Sequence, residues 1–243
     1  MGQRIADPAF SSRVAVFFLA PNASVVARTA AIIRTTRQEK SNSRGLTGIL
    51  WAVAAATHTA LPNWAQRLIS ELDTADRRAE CLAKALTPEQ LNWQPQPGAW
   101  SVGQCLEHLY LGNEIYLPAI SAALRGQRQA VVHEIRMGWP SRWFLRNYIA
   151  PNPGGTRARA PKKVEPSKSV RPDILSAFLR SNQAARELVR RASEYDVNAL
   201  RFKNPFIPLL RFTVGTGLEI TSKHQSRHLL QAEGVRRSAA FPQ

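Results

Sequence analysis

His224 and His228 stand four residues apart in KHQSRHLLQ (223–231), and the chain has only five histidines. On a helix that spacing puts two imidazoles on one face, about 5–6 Å apart at Cβ, near enough to hold one metal ion. The His-x-x-x-His pair of metalloproteases uses the same geometry. An isolated pair reads first as two histidines with ordinary hydrogen bonds, so a third ligand decides the matter. His108 is the candidate. His58 lies in an unpatterned N-terminal region and His133 in a basic connection, and both read as solvent-exposed. Cys105, one turn before His108, is a soft ligand in principle, but free cysteine is a common core residue.

Four amphipathic segments are available to position these side chains. Residues 62–86 carry Trp64, Leu68, Leu72, Ala75, Ala79, Leu82 and Leu86 at spacings of three and four, one buried stripe of a helix. TPEQLNWQPQPGA (87–99), with three prolines and a glycine, breaks it. A second helix spans 100–124. Ser101 caps it, Gln104 completes a capping box, and Val102, Cys105, Leu109, Tyr116 and Ile120 share a face with His108 on or beside it. Residues 125–171 form a long connection, with a short helix expected at PSRWFLRNYI and extended, mobile chain at PNPGGTRARAPKKVEPSKS. Connections of this length often cover a site.

The third helix is read at 172–195, with Leu175, Phe178, Asn182, Ala185 and Val189 inward, and NPFIPLL (204–210) is a turn. The fourth spans about 213–236. Its face reads Val214, Gly217, Thr221, His224, His228, Gln231 and Val235: imidazoles where a plain core would have Leu or Ile. No period-two pattern and no internal repeat is evident. The expectation is an all-α fold, a four-helix bundle with a long crossover between helices two and three.

The chain has 243 residues, 44% hydrophobic, and a formal net charge of +16. The charge is unevenly placed. Residues 61–123 are net acidic, whereas 124–172 carry eleven basic and two acidic side chains. Such a stretch can meet phosphate or an anionic membrane surface, or it can be a solvated connection. No nucleic-acid motif accompanies it, so nucleic acid is not an expected partner. No apolar run reaches the roughly 18–20 residues of a membrane span. Two cysteines, Cys81 and Cys105, make no disulfide framework and suit a reducing compartment, hence a cytoplasmic protein. VAVFFLA (14–20) is the one stretch that would argue for export as a signal core. Residues 1–60 show no consistent period. They read as an extension, disordered or the product of a mis-assigned start, ahead of a domain at 61–243.

PGAWSVGQCLEHL (97–109), LTPEQLNWQP before it and HQSRHLLQAEGVRRSAAFP (224–242) resemble the DinB/YfiT-like superfamily. The shared marks are Trp-Ser at the start of helix two with His-Leu two turns on, and H-x-x-R-H-L-x-Q in helix four. The resemblance covers about residues 61–243. It implies a four-helix bundle and a metal site made of His108, His224 and His228. Many relatives have Glu after the first histidine of the pair; Gln225 stands there in this chain.

Three neutral imidazoles leave the full charge on a divalent ion, Zn or Ni by expectation, and leave coordination positions open, as in catalytic zinc sites. Such an ion lowers the pKa of bound water or holds a thiolate. The resemblance accordingly implies a thiol S-transferase or a metal-dependent hydrolase acting on a small molecule. The alternative is a non-catalytic bundle, an interaction module in which metal is structural or absent. Gln231, Glu107 and Glu219 are candidates to orient the imidazoles, Gln231 first because it lies one turn past His228; Glu107 reads better as a surface charge. Asn113 and Tyr116 are candidate pocket residues. Trp139, Arg142 and Trp143 could belong to a lid with a positive rim. A homodimer is left open.

Overall fold

The computed structural model describes residues 60–151, 160–207 and 209–243. The expectations for residues 1–59, His58 and the VAVFFLA stretch among them, lie outside the described residues, as does NPGGTRAR (152–159) in the first half of PNPGGTRARAPKKVEPSKS.

Helix α1 (Asn63–Ala83) buries Trp64, Leu68, Leu72, Ala75, Ala79 and Leu82, the expected stripe except for Leu86, which lies past the helix end and is half-buried. The proline-rich break that follows is not featureless. Thr87 and Gln90 form a capping box around one helical turn, α2 (Pro88–Asn92), which buries Leu91. A second box starts α3 (Val102–Ala123): Gln104 N donates to Ser101 Oγ at 3.1 Å and Ser101 N to Gln104 Oε1 at 3.0 Å. Each box satisfies helix-end amides that would otherwise lack partners.

The crossover is more structured than its composition suggests. It contains α4 (Trp139–Phe144), a π-helical turn (Leu145–Ile149) and a 3-10 turn (Lys162–Val164) whose Val164 is buried. Helix α5 (Ile174–Ala192) follows. Ile174, not the half-buried Leu175, begins its inner stripe. Between α5 and α6 (Val214–Arg236), where no strand was expected, lies a hairpin of two three-residue strands, β1 (Arg201–Lys203) and β2 (Arg211–Thr213), with Phe202 opposite Phe212. Three residues are too few for a period-two signal to register. The 204–210 turn is the loop of this hairpin.

Helices α1 and α3 each pack on both α5 and α6, so the order around the four-helix bundle is α1, α5, α3, α6. The core falls into two apolar clusters. One joins Trp64, Leu68, Tyr116, Ile120, Val189 and Leu218; the other joins Ala79, Leu106, Leu109, Phe178, Leu229 and Val235. Between them runs a polar layer with every amide engaged. Asn182 Nδ2 donates to Asp76 Oδ1 (2.7 Å) and Gln225 Oε1 (3.1 Å). Its Oδ1 accepts from Gln225 Nε2 (2.6 Å) and Asn113 Nδ2 (3.1 Å). One residue from each long helix thus meets at the level of His224. A buried polar layer is tolerable because its members satisfy one another.

Candidate metal centre

His108 comes from the buried face of α3, and His224 and His228 from successive turns of α6. The three rings lie 4.5–4.9 Å apart between centroids, and one ring nitrogen from each lies within 4.8 Å of the others. His108 Nε2 is 3.1 Å from His224 Nε2. Among the described residues this is the one cluster of three or more His, Cys, Asp or Glu side chains with such spacing.

Two hydrogen bonds set the tautomers. His108 Nδ1 lies 2.7 Å from the Val164 carbonyl, and His228 Nδ1 lies 3.0 Å from Gln231 Oε1. Both oxygens only accept, so both Nδ1 atoms carry the proton and each Nε2 keeps its lone pair. With its own Nε2 bare, His108 needs a proton or a cation between it and His224 Nε2. A divalent first-row ion, which takes neutral imidazole nitrogens, fits that donor set.

The same surroundings keep the rings uncharged. Desolvation lowers the pKa of His108, with the Val164 bond opposing it in part. Desolvation, then the neighbouring His228 and His108 and the Arg227 charge, hold His224 well below the usual histidine range. Desolvation and His108 push His228 down to about 3, against the Gln231 bond. Each ring is therefore a neutral ligand at pH 7.

The histidines form part of the wall of a cavity of about 530 Å³ lined largely by apolar groups. Trp100 covers the triad from one side, its ring 4.8 Å from His108 and 5.4 Å from His228. Asn113 and Tyr116 also line the cavity. Tyr116 packs edge-on to Phe202, and its buried Oη has no hydrogen-bond partner among the described residues. The crossover supplies a roof, but not with the side chains expected. Phe144, Tyr148, Ile149 and Val164 face the cavity, while Trp139, Arg142 and Trp143 are exposed on the outer side. Arg227 lines the cavity and reaches back to the Tyr148 and Ala150 carbonyls at 3.3 and 3.4 Å, fastening the roof to α6.

Of the three expected supports, Gln231 alone touches a triad histidine. Glu107 accepts from the Ser167 amide (2.6 Å) and hydroxyl (3.0 Å), so it is neither an imidazole partner nor an idle surface charge: it pins the crossover. Glu219 is buried toward α1 and pairs with Arg67. Glu107 directly follows Leu106 and precedes His108 on the helix, and Glu219 sits five before His224, so neither shares the histidines' direction. Cys105 is buried, its thiol pushed up to about 12 by desolvation, and His133 is exposed. Sequence reasoning did not find Trp100, Arg227 or the Val164 carbonyl as site groups. The first two stand inside the quoted motifs, directly before Ser101 and His228. A backbone carbonyl has no sequence signal.

A model of the DinB superfamily matches residues 71–232. Among solved structures the chain is similar to YfiT from Bacillus subtilis, described as "a probable metal-dependent hydrolase with an unusual four-helix bundle topology". The identity is 16%, over 73% of this chain and 89% of that one, with a TM-score of 0.48. Comparison with curated proteins gives no match.

Proposed function

The chain belongs to the DinB superfamily, and we propose that it is a metal-dependent enzyme of the thiol S-transferase type. His108, His224 and His228 would hold zinc or nickel, and the thiol would lose its S–H proton and attack an electrophilic carbon of a small, largely apolar substrate, the S–C bond forming as a leaving group such as halide departs with its electron pair. The observation that supports this reading is the meeting of three neutral imidazoles on a cavity wall that has no carboxylate among the described residues. A divalent ion there supplies Lewis acidity that activates a thiol or a water molecule. The chain's own groups do the rest. Val164 and Gln231 hold two of the imidazoles in the required tautomer. Trp100, Phe144 and Tyr148 exclude water, and Arg227 keeps the roof fastened to α6.

Gln225 favours thiol transfer over hydrolysis. Activating water calls for a nearby proton acceptor, whereas a thiol, the stronger acid, gives up its proton more readily. Gln225 is no such acceptor, and its amide is committed to Asn182. We place this activity in a domain at 61–243.

The test is the metal content of untagged protein, with His228→Ala as control, followed by a panel of low-molecular-weight thiols with an aryl halide. The expected result is about one equivalent of zinc or nickel, lost in the variant, and turnover that needs both metal and thiol. No metal after reconstitution would sink the reading. Metal whose cobalt-substituted spectrum ignores added thiol would make it a structural staple. Ester cleavage without thiol would make the protein a hydrolase.

A further inference from the structure

The crossover roof has an outer side that the cavity does not use. Trp139 is 70% exposed and Trp143, one turn later, 44% exposed. Arg136, Arg142 and Arg146 are exposed alongside them. The neighbouring hairpin repeats the pattern. Phe202 and Phe212 turn inward, Arg201, Lys203 and Arg211 face solvent, and near the tip Ile207 is 40% and Leu209 98% exposed. The two elements adjoin: the Phe144 ring packs 5.3 Å from Phe212, and Ile207 and Phe144 line the same cavity. Neither 135–151 nor 200–213 contains an acidic residue.

Apolar side chains held in water cost the folded protein free energy, and grouped exposure of this kind marks a contact surface. A lipid–water interface accepts this combination. Tryptophan rings sit among the headgroups, an aliphatic tip enters the acyl boundary, and arginines meet lipid phosphates. We propose that the outer side of α4 and the β1–β2 hairpin dock this protein on the surface of an anionic phospholipid bilayer. The docking is peripheral, since no helix among the described residues is long and apolar enough to cross a membrane. The basic side chains would meet nucleic acid equally well, but an aliphatic tip finds nothing to enter there. The cavity shares its rim with this surface, so an apolar substrate could reach it from the lipid. The inference stands apart from the metal reading.

The experiment is co-sedimentation of the full chain with phosphatidylglycerol/phosphatidylcholine vesicles and with phosphatidylcholine alone, beside a duplex DNA mobility-shift titration. Binding is expected to the anionic vesicles, weakening with salt. Leu209→Asp and the pair Trp139→Ser/Trp143→Ser should each lower partitioning about tenfold, and Arg142→Glu/Arg146→Glu should do so at low salt. Leu230→Asp, an exposed leucine outside both elements, should change nothing, and all variants should show unaltered circular dichroism. Three results would overturn the proposal: no vesicle binding, equal binding by wild type and the tip and tryptophan variants, or binding to duplex DNA alone.

Discussion

His228 shows how one residue's surroundings decide its chemistry. Its partner Gln231 holds the proton on Nδ1, and burial keeps the ring neutral. Gln231→Ala is expected to weaken metal binding about tenfold to a hundredfold, less than loss of any triad histidine, while His133→Ala leaves it unchanged; titration of the metal-free protein measures this. The three depressed histidines also set a pH dependence. Unfolded histidines titrate near about 6.5, whereas in the folded chain burial lowers His108 and holds His224 and His228 well below that value. As pH falls through that value the unfolded chain binds protons that the folded chain does not, so stability must fall. The metal-free protein should therefore melt progressively lower between about pH 7 and pH 5, with a shallower slope in His228→Gln. Gln225 makes a complementary point. Replacing it with Glu sets an oxygen against Asn182 Oδ1, 2.6 Å from the present donor. Asn182 cannot invert its amide without losing Asp76 and Asn113. Gln225→Glu should destabilise the fold by roughly 2–4 kcal/mol in denaturant titrations.

At the scale of elements, helix ends and close crossings do the positioning. Ser101→Ala removes the side-chain acceptor that starts α3 and should cost about 1 kcal/mol, lowering the melting temperature. Its effect should extend to the site. Gln104, the other half of the box, also donates to the Ser167 carbonyl at 2.9 Å, and Glu107 holds the same residue. The cap, the crossover and the Val164 carbonyl that orients His108 are thus one connected assembly. At Gly217 the ring of Phe202 packs directly on α6: a Cβ there would stand 2.7 Å from Phe202 Cε1 and 3.0 Å from Ile120. Phe202 is wedged by Tyr116, so Gly217→Ala should destabilise by about 1–3 kcal/mol despite the better helix propensity of alanine.

For the whole molecule, the two apolar clusters and the polar layer between them should form a core that stays folded without metal. Chelation should strip the ion while leaving the far-ultraviolet circular dichroism unchanged. A bound divalent ion should still raise the melting temperature, because it binds the folded state alone. Simultaneous unfolding and metal loss would show instead that the triad is a staple joining α3 and α6.

Much of the bundle was legible in the sequence, because a helix writes itself locally. The three-four stripe of α1, the Ser101–Gln104 box and the four-residue spacing of His224 and His228 all lie within a few turns of chain. The hairpin was not legible, since three-residue strands are shorter than the window a period requires. His108 was read as the third ligand from its place on helix two, and the resemblance implied the same triad, but the 3.1 Å between His108 and His224 is produced by the packing of α3 on α6. Glu107, Glu219, the tautomer-setting Val164 carbonyl and the reversed faces of the roof were also decided in three dimensions. Each depends on which direction a side chain takes from its helix and what distant segment it meets there, 56 residues away in the case of His108 and Val164.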